Sequence, residues 1–450
     1  MSDGSLGLTE AVAMALGGMI GGGIYAVLGI VTQITGAATW GAFLLAGVVA
    51  SCAAYSYVRL NELVTDGGSD GGGSVTFVQS FTGNSTLAGM IGWTLLVGYL
   101  GSMAMYAFAF AEFSIALPGV PSRLAGLPLR PIISVLVVAG FVGLNLLGAR
   151  ATGSAENVLT SVKVLVLLAF GVCGLAYALF VSSDPVDLGV SQFTSLHPIM
   201  AAAVSFVAFQ GWQLLFYDQE SMANPLAELR KAIAIAIPVA VSIYVIVGVV
   251  TYNLAPQAVQ RNPHTALVDA ASTIGGVAGL ASVGAIIISL SALFSTGSAI
   301  NATLFSAGYF AKGMLSDDLL PDRAGDSSAS GVPTRTLLLL GGITAAFTAY
   351  GSLSAITSFA SLSFIVVFGA MSALAVTRRD ADRIAAVWPV IGTIGAGLFF
   401  VLMLYHLYTA ERETFYAVVL IAIAMVTVEG LYFERDRIER EIPYLEPDTE

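Results

Sequence analysis

Long apolar runs separated by short polar breaks repeat along almost the whole chain. An α-helix needs about 20 predominantly apolar residues to cross the hydrocarbon core of a bilayer. Dividing the sequence at its polar breaks predicts twelve membrane-spanning helices, near 8–33, 38–60, 87–117, 131–149, 155–182, 199–223, 232–254, 276–312, 335–351, 354–376, 384–408 and 413–433. These runs far exceed the roughly 9 to 11 alternating residues of a membrane β-strand, which excludes an outer-membrane barrel. We therefore predict an all-α polytopic membrane protein.

Two of the predicted spans are interrupted where a spanning helix should be continuous. The first is broken at 17–23 (GGMIGGG) and the sixth at 209–213 (FQGWQ). Paired interruptions in corresponding positions of two halves indicate an inverted-repeat transporter with its site at the bilayer midplane. Because the two spans are five apart, the copies run in opposite directions. We predict one transmembrane domain, 1–433, with repeats at about 8–182 and 199–376, extra helices at about 384–433, and a charged cytoplasmic tail, 434–450.

Composition and charge narrow the class of protein further. Hydrophobic residues make up 56% of the chain and charged residues 10%, whereas soluble domains carry roughly 25% charged residues. Thirteen Lys and Arg residues fall in predicted inner segments and four in predicted outer loops, which places both termini in the cytoplasm. A net charge of -11 disfavours nucleic acid as a partner. The acidic, lysine-poor balance is typical of a prokaryotic plasma-membrane protein in a high-salt cytoplasm.

The glycines of the first break have two interpretations. Without side chains, Gly21, Gly22 and Gly23 let the backbone leave helical geometry and let a ligand approach it. The N-terminus of the outer half-helix would then suit a carboxylate, and the carbonyls that end the inner half would suit an ammonium group. The alternative is close helix packing through small residues spaced four apart.

Ionisable residues inside predicted spans are the next candidates for function. Lys163 lies about ten residues, or roughly 15 Å, from the inner end of span five. Burial favours the uncharged amine, so this group can release a proton during a transport cycle. The alternative is a structural lysine paired with buried carbonyls or a carboxylate. Glu112 and Asp218 are weaker candidates for coupling or gating because both lie toward span ends.

Other chemistry finds little support in the sequence. His197 and His264 fall in predicted outer loops and His406 near the outer end of span eleven, so we expect surface positions for all three. The chain contains no Walker-type loop, no H-E-x-x-H motif and no metal-ligand cluster. We therefore expect no cofactor, no metal and no enzymatic activity.

Both broken spans lie within recognisable motifs: 19–25 (MIGGGIY), and 206–212 (FVAFQGW) followed by 220–225 (ESMANP). These motifs are similar to an I-G-small-G-I-F signature and to F-x-x-F-x-G-F and E-x-x-x-N-P patterns. In all three the chain resembles the amino acid/polyamine/organocation superfamily of transporters. Within the superfamily the chain is most similar to prokaryotic proton-coupled transporters of broad specificity, which carry a lysine in span five. The resemblance implies that Lys163 couples transport to protons, with Ser291 and Ser295 as candidate neighbours.

The resemblance also implies how substrate binds. The carboxylate would meet the backbone N–H groups of Gly22 and Gly23, the ammonium would meet carbonyls of both broken spans, and Trp212 would cover the substrate. The implied substrate-binding residues are Met19, Ile20, Gly21, Gly22, Gly23, Ile24, Phe206, Val207, Phe209, Gln210, Gly211 and Trp212. Gly22 stands where relatives carry serine, threonine or alanine, and Gln213 stands where many carry an acid.

The broken spans, Lys163 and the family resemblance together predict a transport function. We expect import of amino acids by proton symport with alternating access, and the uncharged breaks favour neutral amino acids. The partners are then a small-molecule amino acid, a proton and the lipid bilayer. An amino acid or polyamine antiporter is the first alternative, and a sodium-coupled symporter and a ligand sensor that does not transport follow.

Overall fold

The computed structural model describes residues 7–68, 72–147, 153–321, 325, 333–381 and 383–433. The predicted tail, 434–450, lies outside the described residues. The α-helices are α1 (Leu8–Ile20), α2 (Gly23–Thr35), α3 (Thr39–Asp66), α4 (Ser74–Thr82), α5 (Ser85–Ile115), α6 (Leu129–Leu146), α7 (Gly153–Phe180), α8 (His197–Ser205), α9 (Pro225–Leu254), α10 (Pro256–Arg261), α11 (Ala266–Gly276), α12 (Ala281–Ser316), α13 (Thr334–Tyr350), α14 (Leu353–Thr377), α15 (Val387–Ala410) and α16 (Arg412–Phe433).

The predicted all-α polytopic fold is confirmed. In the described part of the chain, nine helical stretches are long and apolar enough to cross a membrane, and one of them, Gly23–Asp66, contains both α2 and α3. The strands β1 (Arg123–Leu124) and β2 (Leu127–Pro128) form a short antiparallel hairpin. Helices lie at each predicted span. The count of twelve membrane crossings and the division into repeats stay predictions.

Both predicted interruptions are present. Helix α1 ends at Ile20 and α2 begins at Gly23, with a turn between them. Helix α8 continues as a 3₁₀ turn, Phe206–Phe209, and the chain then becomes extended before a second 3₁₀ turn, Trp212–Tyr217. Gly211, which joins the two turns, has a φ of 123°, a conformation that favours glycine.

The bundle packs around these breaks. Helix α5 packs against α12 and α14, α3 against α9, and α1 against α9 and α7. Irregular backbone at membrane depth is tolerated only where protein or a water-filled cavity surrounds it. Accordingly, Met19, Ile20 and the turn Phe206–Phe209 are fully buried. Apolar side chains such as Val172 and Phe180 on α7 are exposed instead, as lipid contact requires.

The distribution of Lys and Arg predicts which end of the bundle is outer and which is inner. The outer end carries the turn at Gly36, the β1–β2 hairpin, α10 and α11, and the α13–α14 junction. The inner end carries α4 and the loop between α14 and α15.

Candidate functional site

The two broken helices touch each other through glycine. A Cβ atom on Gly18 would lie 2.8 Å from the Cα of Gly211, and a Cβ on Gly211 would lie 2.4 Å from the carbonyl carbon of Gly18. A Cβ atom on Gly23 would likewise lie 2.8 Å from the Cα of Ala208. Small residues therefore bring the two backbones into direct contact. The packing interpretation of these glycines and the ligand interpretation are compatible, since both need backbone without side chains.

Side chains from two other helices hold the broken backbone in place. The hydroxyl of Tyr244, on α9, donates to the carbonyl of Met19 at 2.7 Å and reaches the carbonyl oxygen of Ala208 at 3.1 Å. The hydroxyl of Ser361, on α14, donates to the carbonyl of Val204 at 2.6 Å and accepts from the N–H of Val207 at 3.0 Å. Tyr244 thus links both breaks. The sequence analysis did not identify Tyr244 or Ser361. The only signal for either was a hydroxyl group in an otherwise apolar span.

An amide network continues from the second break to α5. The Nε2 of Gln210 donates to the hydroxyl of Tyr106 at 2.5 Å, and the Nε2 of Gln213 donates to the Oε1 of Gln210 at 3.1 Å. The Oε1 of Gln213 accepts from the N–H of Gly211 at 2.6 Å. The ring of Tyr106 lies against Gly22, where an added Cβ would be 2.1 Å from its Cδ1. Tyr106 therefore borders the N–H groups predicted to hold a carboxylate.

Lys163 lies beside the first break. Its side chain is buried, and its Nζ donates to the carbonyl of Gly17 at 3.3 Å. Thr160, one turn earlier on α7, also contacts Gly17, since a Cβ there would be 2.8 Å from its Oγ1. Of the two candidate neighbours, Ser291 shares a 2.8 Å hydrogen bond with the hydroxyl of Tyr25, and Ser295 is fully buried on the same helix, α12.

Aromatic rings close the inner side of the site. Trp212 is fully buried, with ring centroids 5.1 Å from Tyr57, 5.0 Å from Phe368 and 6.3 Å from Phe216. Below these rings, the Nδ2 of Asn61 on α3 donates to the Oε1 of Gln219 at 2.9 Å. Asp218 is exposed nearby. The inner end is therefore closed by packed side chains.

The outer side carries a cavity of about 580 Å³. Its lining includes Phe108 on α5, Arg130 at the start of α6, and His264 in the 3₁₀ turn Pro263–Thr265. His264 lies in the predicted outer loop and His406 near the outer end of α15, where both are half-buried, whereas His197 is exposed. The loop folds back over the bundle, and the carbonyl of Pro263 contacts Gly29. Glu112 is half-buried at the same end of α5.

The structure places all the predicted substrate-binding residues in the two breaks or directly beside them. Each of them is buried: Met19, Ile20, Gly21, Gly22, Gly23, Ile24, Phe206, Val207, Phe209, Gln210, Gly211 and Trp212. Their roles in binding stay predictions.

Comparison with known proteins agrees with this architecture. A family model described as amino acid permease matches residues 6–428. An uncharacterized protein of Methanocaldococcus jannaschii is 30% identical over 320 residues, which are 70% of each chain. An inner membrane transport protein of Escherichia coli is 28% identical over 318 residues, again 70% of each chain. A vacuolar cationic amino acid transporter of Arabidopsis thaliana is 26% identical over 360 residues, 77% of this chain and 58% of that protein.

The family match spans both broken helices and nearly every other described element, and the relatives match over most of the chain. The chain therefore belongs to the amino acid permease family, within the amino acid/polyamine/organocation superfamily, and is a multi-pass membrane protein of that transporter type.

Proposed function

We propose that this protein imports neutral amino acids together with a proton by alternating access. The observation that carries the proposal is the contact between buried Lys163 and the carbonyl of Gly17, at the start of the first break. Hydrogen bonds from a charged donor are about twice as strong as neutral ones. Protonated Lys163 thus holds α1 in the closed-inside arrangement, and loss of the proton weakens that hold and releases substrate inward.

The breaks supply opposite partial charges for an amino acid. Helix α2 begins at Gly23, and the first N–H groups of a helix have no partner within it, so Gly22 and Gly23 receive the carboxylate. Carbonyls receive the ammonium: those of Met19, Ile20, Phe206, Val207 and Phe209. Lys163 contacts the first break at Gly17, but the side chains beside the proposed carboxylate site, Tyr106 and Gln210, are neutral. This favours a neutral substrate over the cationic one in the name of the Arabidopsis relative.

The proposal is tested by uptake of labelled amino acids into proteoliposomes without sodium, with and without an inward proton gradient. Potassium and valinomycin clamp the membrane potential at zero. One pH unit is worth about 1.4 kcal/mol, so one proton per substrate supports about tenfold accumulation. Label that enters only vesicles preloaded with amino acid or amine would identify an exchanger. Saturable binding without flux would identify a sensor, and both results would reject proton symport.

Replacing Tyr244 with phenylalanine should raise the KM for substrate about tenfold. The variant keeps the ring contacts with Phe43 and Phe209, at 5.5 and 5.2 Å, but leaves the carbonyls of Met19 and Ala208 without this donor. An unpaired buried carbonyl costs about 1 to 3 kcal/mol, and about 1.4 kcal/mol is tenfold.

The matched control is Tyr252→Phe, on the same helix but lining a second outer cavity. The KM of each variant is obtained from initial uptake rates over a series of substrate concentrations. An unchanged KM in Tyr244→Phe would show that the hydroxyl does not organise the breaks.

Replacing Gly22 with alanine should remove more than about 90% of uptake, because the new methyl group collides with the ring of Tyr106. The same change should cost far less in a Tyr106→Leu background, where the ring is gone. Interaction energies between contacting residues reach about 0.5 to 3 kcal/mol in such double-mutant cycles. Gly140→Ala is the control, since a Cβ there meets no atom within 4 Å. Equal losses in both backgrounds would contradict the collision.

A further inference from the structure

The outer cavity is separate from the two breaks. Gln33, which lines it, lies ten residues beyond Gly23 on α2, or roughly 15 Å along the helix. On α5, Phe108 lines the cavity and lies two residues after Tyr106, which borders the first break. The cavity therefore lies directly outside the proposed substrate site, on its outer approach.

Arg130 brings a positive charge to this cavity. Its guanidinium lies 4.1 Å from the centre of the Phe108 ring, and its Nη1 donates to the carbonyl of Thr348 at 2.6 Å. Ion pairs within 4.0 Å among the described residues join Arg59 to Glu62 and Arg383 to Asp66, and none includes Arg130. A guanidinium has five N–H donors, so its fork retains the capacity to bind an anion.

His264 contacts the same ring of Phe108. Its imidazole meets the Phe108 ring edge-on at 5.7 Å, and its Nδ1 is buried without a hydrogen-bond partner among the described residues. Burial and the positive charge of Arg130 lower the pKa of His264. A buried polar atom without a partner is uncommon in folded proteins and calls for a water, an ion or a ligand group.

We propose that Arg130 and His264 form a binding site for a small monovalent carboxylate at the outer cavity. The planar fork of an arginine matches the two oxygens of a carboxylate, and the Nδ1–H tautomer or the protonated ring of His264 adds a third donor. The ligand is a free carboxylate or the carboxylate end of an amino acid on its way to the breaks. Two acidic groups lie near these residues: Glu112 on α5, whose carboxylate interacts electrostatically with Arg130, and Glu411 after α15, which accepts from Ser354. Asp269 lies on α11, the helix that follows the turn of His264.

Histidine titration tests the site without measuring transport. The chain has three histidines, so the full-length protein labelled with ¹⁵N-histidine gives three titrating groups, and His264→Asn assigns one of them. We expect acetate, at constant ionic strength, to raise the pKa of His264 by about half a unit, because a nearby carboxylate favours the imidazolium form. Ethylammonium, which lacks a carboxylate, should cause no shift.

Arginine variants connect the shift to the proposed site. Arg130→Gln should remove the acetate-dependent shift, whereas Arg123→Gln, in the exposed β1–β2 hairpin, should retain it. The signals of His197 and His406 report whether each variant is folded. A shift with acetate and glycine assigns the site to any small carboxylate, and a shift with acetate alone assigns it to free carboxylates. No shift with acetate, or an equal shift in Arg130→Gln, would overturn the proposal.

Discussion

Replacing Lys163 with alanine should abolish the stimulation of uptake by an inward proton gradient while exchange of substrate across the membrane continues. The change removes the Nζ that donates to the carbonyl of Gly17 at 3.3 Å. Neutral alanine takes up no proton, so α1 can no longer be held or released according to pH. Gradient-driven accumulation should fall from about tenfold per pH unit to about onefold.

The measurement is uptake at several external pH values with the membrane potential clamped, together with counterflow in vesicles preloaded with substrate. Lys231→Ala is the matched control because Lys231, at the start of α9, is exposed. Its gradient dependence should equal that of the unmodified protein. If accumulation by Lys163→Ala still follows the proton gradient, Lys163 does not couple transport to protons, whatever the change in the uptake rate.

The helices and their breaks could be predicted because membrane depth constrains sequence strongly. A spanning helix must be apolar over about 20 residues, so polar residues cluster at its ends. A break must have small residues where backbones meet, and the glycines at Gly18 and Gly211 carry that signal. A charged lysine in the middle of a span costs free energy, so the same reasoning identified Lys163 as a candidate functional residue.

The contacts that hold the breaks could not be predicted in this way. Tyr244 is 225 residues from Met19, and Ser361 is 154 residues from Val207. A hydroxyl in an apolar helix indicates that a partner exists but not which element supplies it. The partial burial of His264 could not be predicted for a related reason. Loop position suggested exposure, but Pro263 packs on Gly29 of α2 and brings the histidine over the cavity.

Replacing Gly211 with alanine should remove nearly all uptake and lower the melting temperature of the purified protein. The backbone of Gly211 has a φ of 123°, which alanine adopts only with strain of about 1 to 3 kcal/mol. The new Cβ would also lie 2.4 Å from the carbonyl carbon of Gly18 and 2.8 Å from the N of Met19. Backbone atoms cannot rotate away, so the two broken helices must separate.

Two further variants divide this effect into its causes. Gly18→Ala creates a similar contact, 2.8 Å from the Cα of Gly211, at a residue inside α1 where helical backbone suits alanine. Gly279→Ala introduces alanine at a φ of 71° with no atom within 4 Å of its Cβ. The first variant tests collision without strain, and the second tests strain without collision.

The expected order of damage is Gly211→Ala, then Gly18→Ala, then Gly279→Ala. Thermal unfolding and uptake, each normalised to the amount of protein in the vesicles, measure that order. If collision between the breaks controls transport, Gly18→Ala loses most of its uptake while Gly279→Ala retains most of its own. If Gly18→Ala and Gly211→Ala transport like Gly279→Ala, direct contact between the two broken helices is not required for transport.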